Sequence, residues 1–329
     1  MQSLIMTGPS QTADRTEIRT LEAPRPGPGE VTIDVAYAGI NFVDVMVRRG
    51  DTAYGTGWPY APGTEVSGTV RELGPGVTTP AVGTRVAAFT GKGGLAEVAV
   101  ARAEHTAPVP DGASMALAAA APLMLATALL LLTDAARIRP GETVLVHSAS
   151  GGVGSAVAQL VPALGGGLRI GTVGRPEKAE SALQAGYDLA LPRTEDLTET
   201  VLKATGGTGV DIILDPQGTA LLETDLQLAA HGGRIVLFGN AGGGTPEPLP
   251  AAGRLMGGNH TVSGFSISQM WANAPHRAAA GLSRVLELAA TGQLTVPLTE
   301  LAYLEEVPET HQLLAEGRGE GKYVVRLNP

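Results

Sequence analysis

The stretch Val144–Gly154 (VLVHSASGGVG) carries the most specific chemistry in the chain. Its spacing, Ala149-x-Gly151-x-x-Gly154 with an extra Gly152, suits a backbone that must approach a pyrophosphate. Gly151 removes a Cβ from the approach, and Gly154 lets the following helix pack close to its strand. The helix start adds free N–H groups and the positive end of a dipole. Context supports this reading. An apolar run, Val144–Val146, precedes the turn, and Val157, Leu160, Val161 and Leu164 mark one helical face after it. Strand, glycine turn and helix in that order separate a dinucleotide site from an ordinary glycine-rich turn.

The next strand, Leu168–Val173, ends in Gly174-Arg175-Pro-Glu-Lys178. An acid at this point binds the ribose 2′-OH of NAD. Here Gly174 leaves room for a 2′-phosphate, and Arg175 and Lys178 can neutralise it. Cations in a first helical turn are unfavourable unless an anion is present. The expectation is NADP(H), with Glu177 on a 2′-OH as the competing arrangement.

Hydride transfer also needs a donor that polarises the acceptor. None of the six tyrosines (37, 54, 60, 187, 303, 323) has Lys four residues on, which excludes the short-chain dehydrogenases and their Tyr-x-x-x-Lys pair. Asn41 can orient a ribose, donate to a substrate oxygen or merely fix its loop. Tyr54 can donate, stack or lie on a surface loop, and Asp44 suits a local cap. So sparse a set favours conjugated acceptors, whose developing charge is delocalised.

These residues need two frameworks. At 329 residues the chain suits two domains, and its net charge of −9 argues against nucleic acid. It has no cysteine, which excludes disulfides and thiolate chemistry and fits a reducing, cytoplasmic setting. The first residues lack the pattern of a signal peptide. Ala113–Leu132 is uncharged and long enough to span a membrane, but its alanines, Pro122 and the charges that follow fit two helices broken at Pro122. Residues 1–100 alternate as short strands (Val31–Tyr37, Glu65–Glu72, Arg85–Phe89, Ala96–Ala101) around a short helix, Phe42–Arg48. Strands then alternate with helices: Thr143–His147, Leu168–Val173, Asp188–Leu191, Val210–Leu214, Arg234–Phe238 and His260–Ile267, with helices at 153–164, 176–185, 195–205 and 218–230. That is an α/β, doubly wound six-stranded parallel sheet of the Rossmann type. A helix at Pro275–Thr291 and β character from Leu294 to Val325 complete the chain.

These segments resemble the zinc-independent quinone oxidoreductase (zeta-crystallin-like) branch of the medium-chain dehydrogenase/reductase family. The resemblance is carried by Gly39-Ile-Asn41-Phe-Val-Asp44, Arg49-Gly50, Pro62-Gly63-Thr-Glu65-Val-Ser-Gly68, Gly83-Thr-Arg85-Val86, Val146–Gly154, Gly171-Thr-Val-Gly174, Gly232-Gly-Arg234 and Phe238-Gly-Asn240. It implies a GroES-like β-rich catalytic domain (1–123 and 269–329), a Rossmann domain (124–268) and a cleft between them. It also implies a homodimer joined along late strands near His260–Ile267. Zinc relatives place Cys at Asn41 and His at Thr64, so no metal is expected. Asn41, Thr127, Ser150, Gly151, Gly152, Val153, Gly174, Lys178, Phe238, Gly239 and Asn240 would line NADP(H). A family tyrosine that lies on the adenine ribose phosphate is matched by Arg193, which can stack on adenine and bind the 2′-phosphate or point to solvent. The tyrosine that borders the substrate falls at Thr52, with Tyr54 nearby. The activity implied is NADPH-dependent hydride transfer to a quinone or an α,β-unsaturated ketone or aldehyde. Two alternatives stand beside it: reduction of an enoyl thioester or biosynthetic intermediate, and an NADPH-binding structural or regulatory role.

Overall fold

A computed structural model describes residues 1–51, 57–193 and 196–327. The chain divides into two compact units, Met1–Ala126 with Ile267–Pro329, and Thr127–Ser266.

Among the described residues the second unit holds a six-stranded parallel sheet. Its order is Leu189–Pro192, Arg169–Val173, Val144–His147, Val210–Asp215, Ala229–Leu237, Thr261–Gly264. The chain starts in the middle, winds to one edge, then crosses back and winds to the other, as a Rossmann sheet does. Buried on both faces, the central strands carry short apolar runs, Val144–Val146 and Ile212–Leu214. Leu145, Ile170, Ile213 and Ile235 form the core with Leu197, Val201, Leu222 and Leu226 of two covering helices.

Strands of the first unit are mostly antiparallel. Its larger sheet has the order Leu298–Leu301, Lys322–Arg326, Glu30–Ile40, Glu65–Leu73, Arg85–Phe89, Thr106–Pro108, and Val98–Arg102 also pairs with Glu30–Ile40. Alternation sends Val31, Ile33, Val35, Val66, Val70 and Val86 inward. The last strand pairs antiparallel with the third, Tyr323 opposite Ile40 and Val324 opposite Gly39. The end of the chain thus completes a sheet that its beginning started.

Several element boundaries differ from the sequence reading. Strand character from Leu294 to Val325 is interrupted by the helix Val307–Ala315. The run His260–Ile267 contracts to Thr261–Gly264, and Ile267 opens a helix to Asn273. The helix expected over 218–230 covers only Leu222–Leu228, because Ala229 already pairs with Val210 as a strand residue. A helix at Ala252–Gly258 was not foreseen. The helical stretch does break next to Pro122: Met115–Ala118 ends at a turn over 119–120, and Pro122 lies in the first turn of the π-helical segment Ala121–Leu125 that follows. No helix among the described residues is long and apolar enough to cross a membrane.

Candidate active site

Asn41 follows directly on the strand Glu30–Ile40 and precedes the helix Phe42–Arg49. The strand delivers it to a buried polar cluster that also holds Glu65, the first residue of its own strand, and Lys322, the first of the last strand. Lys322 Nζ donates to Asn41 Oδ1 (2.6 Å), Glu65 Oε1 (2.6 Å) and the Ile40 carbonyl (3.0 Å). Asn41 Nδ2 donates to Glu65 Oε1 at 2.9 Å and approaches Gly39 O (3.3 Å) and Thr64 Oγ1 (3.4 Å). Glu65 Oε2 accepts from the backbone N–H of Leu123 (2.7 Å) and Met124 (3.4 Å), so one carboxylate ties a strand to the π-helical turn. Gly39 is required here, since a Cβ would run into the Glu65 carboxylate. A buried ion pair is tolerated when its remaining valences are met, and here they are.

Asp44 is buried one turn into the helix and caps locally, as the sequence suggests. Its carboxylate accepts from the N–H of Asn41 (3.0 Å) and of Gly63 (3.1 Å). Tyr54 lies outside the described residues. Among those described, no group of three or more His, Cys, Asp or Glu side chains could hold a metal ion.

In the second unit the glycine turn has the anticipated close approach. A Cβ on Gly154 would stand 2.5 Å from Ala149 O and 2.7 Å from its Cα, both backbone atoms that cannot yield. The helix Gly152–Ala163 has Gly151 as its cap, with no side chain to occupy its first N–H groups. Gly174 and Arg193 come together. Arg193 N bonds to Val173 O at 3.1 Å, and a Cβ on Gly174 would meet Arg193 Nη2 at 2.9 Å. Arg193 Nη1 is buried without a partner, and burial pulls the guanidinium below its ordinary range. Thr127 Oγ1 is another buried group with no protein partner. Arg175 is half-exposed, 3.8 Å from Glu177, whereas Lys178 is buried. Asn240 Nδ2 holds the Gly244 carbonyl at 2.9 Å, and Gly218 is left without a side chain where Asn240 approaches. A naked helix start, one unpartnered guanidinium nitrogen and an unpartnered hydroxyl fit a phosphorylated dinucleotide.

Sequence reading missed the network beneath this turn. His147 Nε2 lies 2.8 Å from Asp225 Oδ1, and Nδ1 lies 2.6 Å from Thr172 Oγ1. A carboxylate accepts, so Nε2 carries the proton toward it and Nδ1 takes the threonine O–H. Asp215 Oδ1 receives Gln217 N at 2.6 Å, and Gln217 Nε2 reaches Ser148 Oγ at 2.9 Å. Burial first, then the neighbouring Asp225, push the Asp215 carboxyl up to about 7. The one available signal was a polar residue, His147 or Asp215, placed directly after the apolar runs Val144–Val146 and Ile212–Leu214.

Residues 27–111 match the family described as alcohol dehydrogenase GroES-like domain, and residues 152–284 the one described as zinc-binding dehydrogenase. Those two modules define a dehydrogenase/reductase with a β-rich unit and a nucleotide-binding unit. A quinone oxidoreductase of Pseudomonas aeruginosa is 34% identical over 316 residues, 94% of each chain. Quinone oxidoreductase-like protein 2 of Bos taurus is 32% identical over 92% of this chain and 87% of its own. The crystal structure of Escherichia coli quinone oxidoreductase complexed with NADPH superposes with a TM-score of 0.90 at 28% identity, covering 99% of this chain and 100% of that one. The chain belongs to the quinone oxidoreductase branch of the medium-chain dehydrogenase/reductase family and is an oxidoreductase.

Proposed function

We propose that the chain transfers hydride from NADPH, without zinc, to a conjugated carbonyl: a quinone or an α,β-unsaturated ketone or aldehyde. The observation that carries this reading is the Asn41 cluster. Where zinc relatives are expected to place Cys and His, this chain has Asn41 and Thr64, an amide and a hydroxyl 3.4 Å apart. Neither supplies a strong acid or a Lewis acid. An amide N–H can still stabilise an oxygen whose charge is delocalised over a conjugated system, and a plain ketone needs more.

NADPH supplies the hydride when bound. Gly151, Gly152 and Val153 offer backbone to the pyrophosphate, with Ser150 beside them; Gly174, Arg175, Lys178 and Arg193 take the 2′-phosphate end. Thr127, Phe238, Gly239 and Asn240 would line the rest of the nucleotide. The Asn41 N–H is the donor to the acceptor's oxygen. The NADPH bound by the Escherichia coli relative supports the choice of cofactor. The strand Thr261–Gly264 is the edge of its sheet, which supports a homodimer joined there.

Anaerobic oxidation of NADPH and NADH over ortho- and para-quinones, 2-enals, 2-enones, enoyl thioesters and simple ketones tests this reading. Turnover of quinones or enones with NADPH preferred is the expected result. Turnover confined to simple ketones would overturn it. Tight NADPH binding without turnover on any acceptor would move the function to a non-enzymatic role.

Arg193→Ala should weaken NADPH by about 1.5 kcal/mol, roughly tenfold, through loss of a charge-assisted contact, and leave NADH unchanged. Fluorescence titration of both nucleotides checks it. An equal loss for NADH would mean that Arg193 does not read the 2′-phosphate.

A further inference from the structure

The Asn41 carboxamide has little freedom of its own. Lysine only donates and a carboxylate only accepts. The Asn41 atom 2.6 Å from Lys322 Nζ is therefore the amide oxygen, and the one 2.9 Å from Glu65 Oε1 is the amide nitrogen. Glu65 takes one of the two N–H groups. The other has only long neighbours, Gly39 O at 3.3 Å and Thr64 Oγ1 at 3.4 Å.

We propose that Lys322 is a positioning residue for the reaction: it holds Asn41 Oδ1 so that the less committed Asn41 N–H is kept for the oxygen of a bound reactant. This rests on the role proposed above for Asn41. Flipping the amide would set Nδ2 against the ammonium and Oδ1 against the carboxylate, two repulsive contacts in a buried site. Lys322 is itself immobilised, because its three N–H donors go to Ile40 O, Asn41 Oδ1 and Glu65 Oε1. Its charge also draws electron density from Oδ1, which strengthens the N–H at the other end of the amide. Register explains how a residue near the chain's end performs this role. Tyr323 stands opposite Ile40 in the antiparallel pair, so the residue before Tyr323 meets the residue after Ile40.

The test uses the full chain with Lys322→Met, Asn41→Ala and both together, and Glu65→Gln with Lys322→Met as a variant that removes both charges at once. With a quinone acceptor, Lys322→Met should lower kcat by about tenfold, the effect of a loosened donor, while acceptor KM changes little. Because Lys322 acts through Asn41, the double variant should be no slower than Asn41→Ala alone. The charge-balanced Glu65→Gln/Lys322→Met protein, which keeps the fold free of a lone buried charge, should show the same loss. Effects that multiply, or a folded Lys322→Met protein with kcat within about twofold of wild type, would overturn the proposal.

A second readout does not depend on turnover. The side-chain carboxamide signals of Asn41 in a ¹⁵N spectrum, assigned as those absent from Asn41→Ala, should move in Lys322→Met. Unmoved signals overturn the proposal. If the wild type reduces no acceptor while the signals do move, the reading of the function fails and the role of Lys322 in fixing the amide stands.

Discussion

Glu65→Ala should destabilise the first unit by about 3–5 kcal/mol, the usual consequence of leaving one partner of a buried ion pair alone. The alanine removes the counter-charge from Lys322, whose side chain is 3% exposed. It also strips an acceptor from the backbone N–H groups of Leu123 and Met124 and from Asn41 Nδ2. Glu65→Gln keeps an acceptor oxygen and the volume, so its loss should be smaller. Both tryptophans, Trp58 and Trp271, belong to the first unit, so denaturant titrations followed by tryptophan fluorescence report on that unit by itself. A midpoint shift equivalent to less than about 1 kcal/mol would show that the pair is worth no more than a surface one.

Asp215 gives the second large effect, and it depends on pH. Its carboxyl is raised from the ordinary 3.8 to about 7, by burial first and by Asp225 second. A group whose folded pKa is raised stabilises the fold fully below the unfolded value. That contribution is lost as pH climbs from about 4 through 7, at a slope of at most about 1.4 kcal/mol per pH unit. Carboxylates such as Asp188, held low by Arg169, act in the opposite sense, so the informative quantity is a difference. Asparagine at 215 retains an oxygen for Gln217 N, offers an N–H toward Asp225 and has no proton to lose. Between pH 5 and pH 7 the wild type should therefore lose about 2–3 kcal/mol relative to Asp215→Asn. Melting temperatures of both proteins across that range measure it, and parallel curves would place the proton elsewhere.

How legible this molecule is in its sequence depends on how local the determinant is. The Rossmann strands were readable because a strand buried on both faces must be a short apolar run, and Val144–Val146 and Ile212–Leu214 are such runs. Gly154 and Ala149 were readable because both partners of the close approach lie in one turn. The helix Val307–Ala315 was missed although Pro308 in its first turn and the Glu306 carboxylate on Tyr303 N are start signals. They were overlooked because Leu298–Leu301 and Lys322–Arg326 on either side read as strands. Asn41 stood out within the Gly39-Ile-Asn41 segment that carries the family resemblance, but its partners did not. Glu65 is 24 positions away and Lys322 is 281, and only sheet register brings them together. His147 and Asp225, 78 positions apart, escaped for the same reason. An acid on an amphipathic helix reads as a solvated one until the packing is seen.

The closure of the first unit's sheet by the last strand also sets an order of events during synthesis. The second unit is one continuous segment and has all its strands once residue 264 has left the ribosome. The cluster around Asn41 must wait for Lys322. At about 5–20 residues per second the stretch from 264 to 322 takes roughly 3–12 s. Through it Glu65 has no counter-ion, and the exposed edge of the strand Glu30–Ile40 has no neighbour on that side. The nascent chain thus completes its parallel sheet before the Asn41 amide has the lysine that holds its oxygen.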